Sequence, residues 1–202
     1  MDNSLPIDTE RRQLIAATAI AAAVPAVASV GTFVSTFQPS ERARAAGAAV
    51  ELDIGDLAPG QMKTVEWRGK PVWVLRRTPE MLASLAQTEP QVADPLSQRN
   101  MDEMTPPYAR NKHRSIHPEY LVVIGICTHL GCSPTSKFDT GPQPSLPDDW
   151  AGGFFCPCHG STFDLAGRVF ANKPAPDNLQ VPRHMFLGPT RVVIGRDEEG
   201  EA

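Results

Sequence analysis

The sequence predicts a mainly β, antiparallel domain preceded by one N-terminal apolar helix. Twenty prolines and fifteen glycines in 202 residues, with few long periodic segments, indicate a loop-rich β architecture. An uncharged run of about 24 residues near the N-terminus is long enough to cross a membrane as a helix. With a net charge of -4 and no basic stripe, the chain is not expected to bind nucleic acid.

Residues 1–38 are predicted to form an export signal and a transmembrane anchor. The apolar run extends from Leu14 to Phe37, and the Arg11-Arg12 pair before it resembles a twin-arginine signal. Ala26-Val27-Ala28 fits the alternative of a cleaved signal peptide. Because the apolar run continues beyond that site, the sequence favours a single-pass anchor.

A flexible hinge is predicted at residues 39–50, between this anchor and a head domain at 51–202. The hinge segment is small and polar, and it contains no side chain able to anchor it in a core.

The first half of the head is predicted to contain three strands and one helix. Gly69-Lys70 has the composition of a hairpin turn between the second and third strands. Thr78 fits a helix N-cap and Pro79 the first helical position, so a helix is expected to run through Gln87. Residues 88–118 are rich in proline and charge and should be mostly irregular surface. The strands are expected at 50–54, 61–67 and 72–76.

The second half of the head is predicted to alternate short strands with loops. The apolar, β-branched run at 120–126 is typical of a fully buried strand that leads directly into the first of two cysteine-containing loops. The region at about 127–176 is then an insertion in an antiparallel β base. Further strands are expected at 153–155, 161–165, 168–170, 179–181, 185–187 and 191–194. Three histidines without a cysteine or carboxylate pattern around them are expected to be solvated or structural: His113, His117 and His184.

Two short boxes contain all four cysteines of the chain and two of its five histidines. Residues 127–132 read Cys-Thr-His-Leu-Gly-Cys, and residues 156–161 read Cys-Pro-Cys-His-Gly-Ser. Two thiolates and two imidazoles can hold a tetrahedral zinc ion or a 2Fe-2S cluster, and two disulfides without a metal are a third alternative. Structural zinc sites usually take both cysteines from one knuckle, whereas each box here supplies one Cys–His pair. The crossed pattern therefore favours the cluster.

With these boxes the chain resembles the Rieske iron-sulfur family, and most closely its respiratory branch, the iron-sulfur subunits of bacterial ubiquinol-cytochrome c oxidoreductases. The resemblance implies a 2Fe-2S cluster whose inner iron is bound by Cys127 and Cys156 and whose outer iron is bound by His129 and His159. It also implies a disulfide between the two remaining cysteines, which Rieske ferredoxins and ring-hydroxylating oxygenases generally lack. These cysteines are Cys132 and Cys158.

The resemblance also identifies residues that tune the cluster. Ser161 is expected to donate a hydrogen bond to a cluster sulfur, which stabilises the reduced state and raises the potential. Phe163 stands where high-potential members often carry a donating tyrosine, so a moderate potential is predicted. Pro174-Ala175-Pro176 resembles the proline loop that covers the cluster, although Lys173 replaces its usual leading glycine.

The activity implied by the resemblance is quinol oxidation at the exposed histidines. His159 is the first candidate for contact with quinol and His129 the second, each accepting a proton as the iron accepts an electron. The head would then move and reduce a c-type cytochrome. The chain has no haem-binding C-x-x-C-H motif, so the haems would belong to cytochrome b and c-type cytochrome subunits, in a complex that the family would make dimeric.

A disulfide persists on the oxidising side of a membrane, so the head is expected on the periplasmic side of a bacterial inner membrane. The alternative function is that of a membrane-tethered Rieske electron carrier, which would serve an oxidase or oxygenase and have no quinol site.

Overall fold

The computed structural model of the chain describes residues 8–40, 47–99 and 104–201. It divides the chain into two compact units, Met1–Ala45 and Ala46–Ala202. The predicted hinge at 39–50 lies partly outside the described residues, and so do the first seven residues of the predicted anchor.

The first unit contains a long helix, α1, at Thr9–Ser35. The Asp8 side chain caps it by accepting a hydrogen bond from the main-chain N–H of Arg11 at 3.1 Å. Hydroxyl groups along the helix donate back to helix carbonyls, as Ser29 does to the carbonyl of Pro25 at 2.7 Å. α1 has 27 residues and contains an 18-residue stretch with a mean hydropathy of 2.0, so it is long and apolar enough to cross a membrane.

In its described residues, the second unit contains short antiparallel strands and an α-helix, α2, at Pro79–Thr88. The strands are β1 (Val50–Asp53), β2 (Met62–Trp67), β3 (Lys70–Arg76), β4 (Tyr120–Ile124), β5 (Thr135–Lys137), β6 (Gly153–Phe155), β7 (Thr162–Phe163), β8 (His184–Phe186), β9 (Arg191–Ile194), β10 (Arg196–Asp197) and β11 (Gly200–Glu201). Two sheets, ordered β1-β9-β8 and β2-β3-β4, form the base, and a third sheet, β5-β6-β7, lies in the inserted region. The predicted mainly antiparallel β fold is confirmed.

β3 and β4 separate two hydrophobic cores. Successive side chains of a strand point to opposite faces, so Val72 and Val74 enter one core while Trp73 and Leu75 enter the other. The base core lies between the two base sheets and also contains Ile54, Leu57, Trp67, Val122, Ile124, Val192 and Ile194. The cluster-side core lies under the two boxes and also contains Leu121, Val123, Cys127, Phe154, Cys156, Phe163, Leu165 and Leu179. The unbroken apolar sequence of β4 fits its position, because side chains on both of its faces are buried.

α2 begins at the predicted residue and ends at Thr88, one residue later than predicted, and the hairpin before it is displaced by one residue. The Thr78 side chain accepts a hydrogen bond from the N–H of Met81 at 3.2 Å. Trp67 pairs with Lys70, so the turn consists of Arg68 and Gly69 rather than Gly69-Lys70. The φ angles of the two turn residues are 52° and 70°, and positive values at both positions are typical of a type I′ turn.

The segment at 88–118 is largely irregular in its described part, but the expectation that it lies on the surface is wrong for several residues. Five residues of the segment have buried side chains: Asp94, Ser97, Thr105, Arg114 and Ser115. The strand predicted at 179–181 is not part of a ladder. It contributes an extended segment whose Gln180 carbonyl accepts a hydrogen bond from the N–H of Ile124 at 2.8 Å.

Candidate metal centre

The two boxes adopt the same backbone turn. In each, the N–H of the first residue donates to the carbonyl of the sixth, and the N–H of the fifth donates to the carbonyl of the first. These distances are 2.7 and 3.1 Å in the loop at 127–132, and 2.8 and 3.0 Å in the loop at 156–161. The fifth residue is Gly131 in one loop and Gly160 in the other, with φ angles of 84° and 75°. Side-chain-bearing residues rarely adopt these values, which explains the glycine in each box.

A disulfide joins the two loops and leaves two cysteines free. Cys132 and Cys158 form the disulfide, with their Cα atoms 6.7 Å apart. Cys127 and Cys156 are free and buried. The Sγ atom of Cys156 lies within 4.8 Å of both disulfide sulfurs. Since a disulfide sulfur is not a thiolate ligand, Cys127 and Cys156 are the two thiols that can bind a metal.

The surroundings of Cys127 act on its thiol in opposite directions. Burial raises the pKa of the Cys127 thiol, and the neighbouring Cys156 raises it further. The main-chain N–H of His129 and the side chain of Ser161 each form a hydrogen bond with the thiol that lowers this pKa. Ionisation of two adjacent buried thiols is unfavourable unless a cation lies between them. A bound metal ion supplies that cation, so the pair suits a metal site.

The two histidines of the boxes lie together. Their rings meet edge to face, with centroids 4.7 Å apart and planes at 88°. His159 is exposed and His129 is half-buried. The Nδ1 atom of His129 is buried and has no hydrogen-bond partner. A buried ring nitrogen without a partner is unfavourable unless it binds something, so this atom fits the role of a metal ligand. Two thiols and two imidazoles on these paired loops match the ligand set of a Rieske 2Fe-2S cluster.

Ser161 connects the second box to the proline loop at 174–176. Its side chain is fully buried, and its Oγ accepts a hydrogen bond from the N–H of Ala175 at 3.0 Å. The hydroxyl proton therefore remains for the sulfur of Cys127. On the first box, Thr128 Oγ1 donates to the carbonyl of Asp177 at 2.6 Å. The loop is thus attached to both boxes.

Lys173, at the start of the proline loop, directly follows a residue with a left-handed backbone conformation. Asn172 has a φ of 59°, whereas Lys173 is not among the residues with positive φ. Asparagine tolerates this left-handed conformation better than most residues do. Lys173 is exposed and needs no glycine-like backbone.

Phe163 stands at the position where the resemblance implied a donating tyrosine in high-potential members. Its side chain is fully buried on β7, in the same cluster-side core as Cys127 and Cys156. It has no hydroxyl group to donate.

Sequence reasoning missed three buried arginines that lie behind the second box. Arg77, Arg114 and Arg168 are each exposed by 2% or less. Arg168 Nε donates to the equally buried Asp164 at 2.7 Å. Burial lowers the pKa of Arg77 to about 9 and that of Arg114 to about 10, so both are protonated at neutral pH. The spacing of Asp164 and Arg168 around the Gly167 turn could have indicated their pair, but nothing local marks Arg77 or Arg114.

The other three histidines do not join the boxes. His184 on β8 is buried, its Nδ1 lies 2.8 Å from the carbonyl of Pro182, and burial lowers its pKa to about 4. His117 is exposed and packs against Phe186, with ring centroids 4.7 Å apart. His113 is half-buried and lies on the irregular segment.

Comparison with known proteins gives one family. Residues 49–184 match the Rieske [2Fe-2S] domain. The ubiquinol-cytochrome c reductase iron-sulfur subunit of Allochromatium vinosum is 56% identical over 187 residues, which cover 93% of this chain and 88% of that protein. The protein of the same name from Bradyrhizobium diazoefficiens is 41% identical over 191 residues, covering 93% of this chain and 94% of the relative.

Among solved structures, a chain described as hyperthermophilic respiratory Complex III aligns with a TM-score of 0.45 and 23% identity, covering 86% of this chain and 98% of that one. The domain match spans most of the chain and includes both boxes. This chain therefore belongs to the Rieske [2Fe-2S] family.

Proposed function

We propose that this chain is the iron-sulfur subunit of a bacterial quinol-cytochrome c oxidoreductase. It takes one electron, coupled to a proton, from quinol and delivers the electron to a c-type cytochrome. The observation that carries the proposal is the pair of disulfide-bridged loops that present an exposed imidazole, His159, beside the half-buried His129. The names of the relatives from Allochromatium vinosum and Bradyrhizobium diazoefficiens support it.

The four ligands divide by type. Cys127 and Cys156 would hold one iron of the cluster, and His129 and His159 would hold the other. When bound, the cluster supplies a one-electron acceptor whose reduction makes its imidazole ligands more basic. The unpartnered Nδ1 of His129 supports ligation through that atom. The Nε2 atoms of the two rings then remain available to exchange a proton.

The imidazole that contacts quinol is the more exposed one, His159. Nε2 of His159 accepts a hydrogen bond from a quinol hydroxyl and then takes its proton, while the half-buried His129 is the second candidate. The adjoining Leu130 is 73% exposed and gives the loop an apolar surface. An apolar side chain at this position excludes water from the contact and suits an apolar partner.

The remaining parts of the chain serve this exchange. α1 anchors the subunit in the bacterial inner membrane, and the segment at 39–50 allows the head to move between its partners. Those partners are the cytochrome b and c-type cytochrome subunits of a dimeric complex. The disulfide between Cys132 and Cys158 supports a periplasmic location for the head, because such bonds persist in oxidising compartments.

Purification from membranes in mild detergent tests the proposal. We expect b-type and c-type haems to co-purify, and a Rieske-type EPR signal of the reduced protein to change when a quinol-site inhibitor is added. Leu130→Ala should keep the signal but weaken its response to the inhibitor. Leu96→Ala, which removes another exposed leucine, is the matched control and should respond like the parent.

Two outcomes would contradict the proposal in different ways. A Rieske signal that no quinol-site inhibitor changes, in a preparation without haem, would favour the electron-carrier alternative. Absence of iron and acid-labile sulfide from matured protein would exclude the cluster itself.

A further inference from the structure

Three guanidinium groups surround the turn at 164–168, which directly follows the second box and β7. Arg77 Nη1 donates to one carbonyl of this turn at 3.0 Å, and Arg114 Nη1 donates to two others at 3.0 and 3.2 Å. Arg168 is the last residue of the turn, and its Nη2 donates to the end of α2 at 2.9 Å. All three side chains are buried from solvent.

The charges of this group do not cancel. Asp164 forms an ion pair with Arg168 and also attracts Arg114 and Arg77, and the buried Asp94 attracts Arg114 as well. Within the described part of the chain, Arg77 donates to carbonyls and to a hydroxyl and forms no ion pair. Among the residues that the structure describes here, three positive charges therefore face two carboxylates, which leaves one positive charge in excess. Arginine keeps its proton inside proteins, so this charge is permanent.

The turn lies close to the candidate cluster site. Asp164 follows Ser161 by three residues, so the two residues are separated by about 10 Å at most along an extended chain. Leu165, in the turn, packs in the same cluster-side core as Cys127 and Cys156. Because this core excludes water, a charge beside it is screened far less than a charge on the surface.

We infer that Arg77, Arg114 and Arg168 form a buried positive subsite that raises the reduction potential of the cluster. The inference rests on the cluster assigned under the proposed function. Reduction adds one electron, and hence one negative charge, to the site, while the guanidinium groups keep their charge in both states. The reduced state therefore gains more attraction than the oxidised state does. The subsite compensates in part for the donor that Phe163 lacks.

Ser97 allows this charge to be changed without removing an arginine. Its Oγ accepts a hydrogen bond from Arg114 Nε at 2.7 Å. Its φ is 53°, a conformation that asparagine and aspartate adopt more readily than most residues. Ser97→Asp places a carboxylate beside the guanidinium and balances the remaining charge. Ser97→Asn is its neutral, nearly isosteric control.

The test is a redox titration followed by EPR on the holoprotein in its membranes. We expect the midpoint potential of Ser97→Asp to lie below that of Ser97→Asn, and Ser97→Asn to stay near the parent. Equal midpoints for the two variants, at equal iron content, would overturn the inference. A parent protein without any Rieske signal would instead refute the proposed function.

If the Ser97→Asp protein does not accumulate in the cells, a second pair of variants tests whether the buried charge raises the potential. Arg114→Met removes a buried positive charge. Arg191→Gln is the control, because it removes a positive charge from a side chain that is 58% exposed and that lies 3.7 Å from the Glu51 carboxylate. A midpoint for Arg114→Met below that of Arg191→Gln supports the subsite, and equal midpoints overturn it. The g-values of the EPR signal provide a further readout, because displaced ligands would alter them and a distant charge would not.

Discussion

Replacement of Ser161 by alanine should lower the reduction potential and the stability of the head together. The hydroxyl donates to the sulfur of Cys127 and accepts from the N–H of Ala175 at 3.0 Å. A hydrogen bond to a charged sulfur contributes about 1.5–3 kcal/mol, and it strengthens as the cluster gains negative charge. At about 1.4 kcal/mol per 59 mV for one electron, its loss corresponds to a fall of about 65–130 mV at most.

The same substitution leaves the buried N–H of Ala175 without a partner. An unpaired buried donor costs about 1–3 kcal/mol, so the free energy of unfolding should fall by about that amount. Redox-titrated EPR measures the first effect, and denaturant unfolding of the cluster-free protein measures the second.

Ser133→Ala is the matched control for both effects. Ser133 directly follows the first box, whereas Ser161 ends the second, and the Ser133 hydroxyl donates to the carbonyl of Gly125 at 3.0 Å rather than to a sulfur. We expect its midpoint to equal that of the parent. An unchanged midpoint in Ser161→Ala, or an equal fall in Ser133→Ala, would refute the reasoning.

Three further predictions concern other residues. Phe163→Tyr should raise the midpoint potential in the same EPR titration, since the added hydroxyl can donate toward the cluster ligands, and an unchanged midpoint would mean that it does not reach them. Replacing both Cys132 and Cys158 by alanine opens a loop with a sequence separation of 26, which should lower the free energy of unfolding by about 3.5 kcal/mol in urea titrations; a loss near zero would contradict the chain-entropy estimate. Burial lowers the pKa of His184 to about 4, while the unfolded histidine titrates near 6.5, so the unfolded state binds the extra proton between these values. Stability should therefore be complete above about pH 6.5 and fall by about 2 kcal/mol between pH 7 and pH 5, and a His184→Asn variant should lack this component.

The sequence predicts those parts of the fold that depend on local chemistry. The N-cap at Thr78, the apolar run of β4 and the glycine in each box are all consequences of interactions within a few residues. The ligand types and their spacing identify the family in the same way, because they are written in two boxes of six residues.

The structure adds what depends on distant contacts. Arg114 lies in a polar, irregular segment, yet its guanidinium is buried because it donates to the carbonyl of Leu179 at 2.7 Å and to the turn after β7. Nothing in its neighbours along the chain indicates this burial. The hairpin turn is displaced from Gly69-Lys70 to Arg68-Gly69 because strand pairing fixes which two residues remain outside the ladder.

The two boxes form the same turn, but their histidines occupy different positions in it: the histidine is the third residue of the first box and the fourth residue of the second. Of these two imidazoles, His129 is half-buried and His159 is exposed. If the cluster is bound as proposed, an electron donor and an electron acceptor that both approach it at the exposed His159 use the same surface, so they must bind there in alternation.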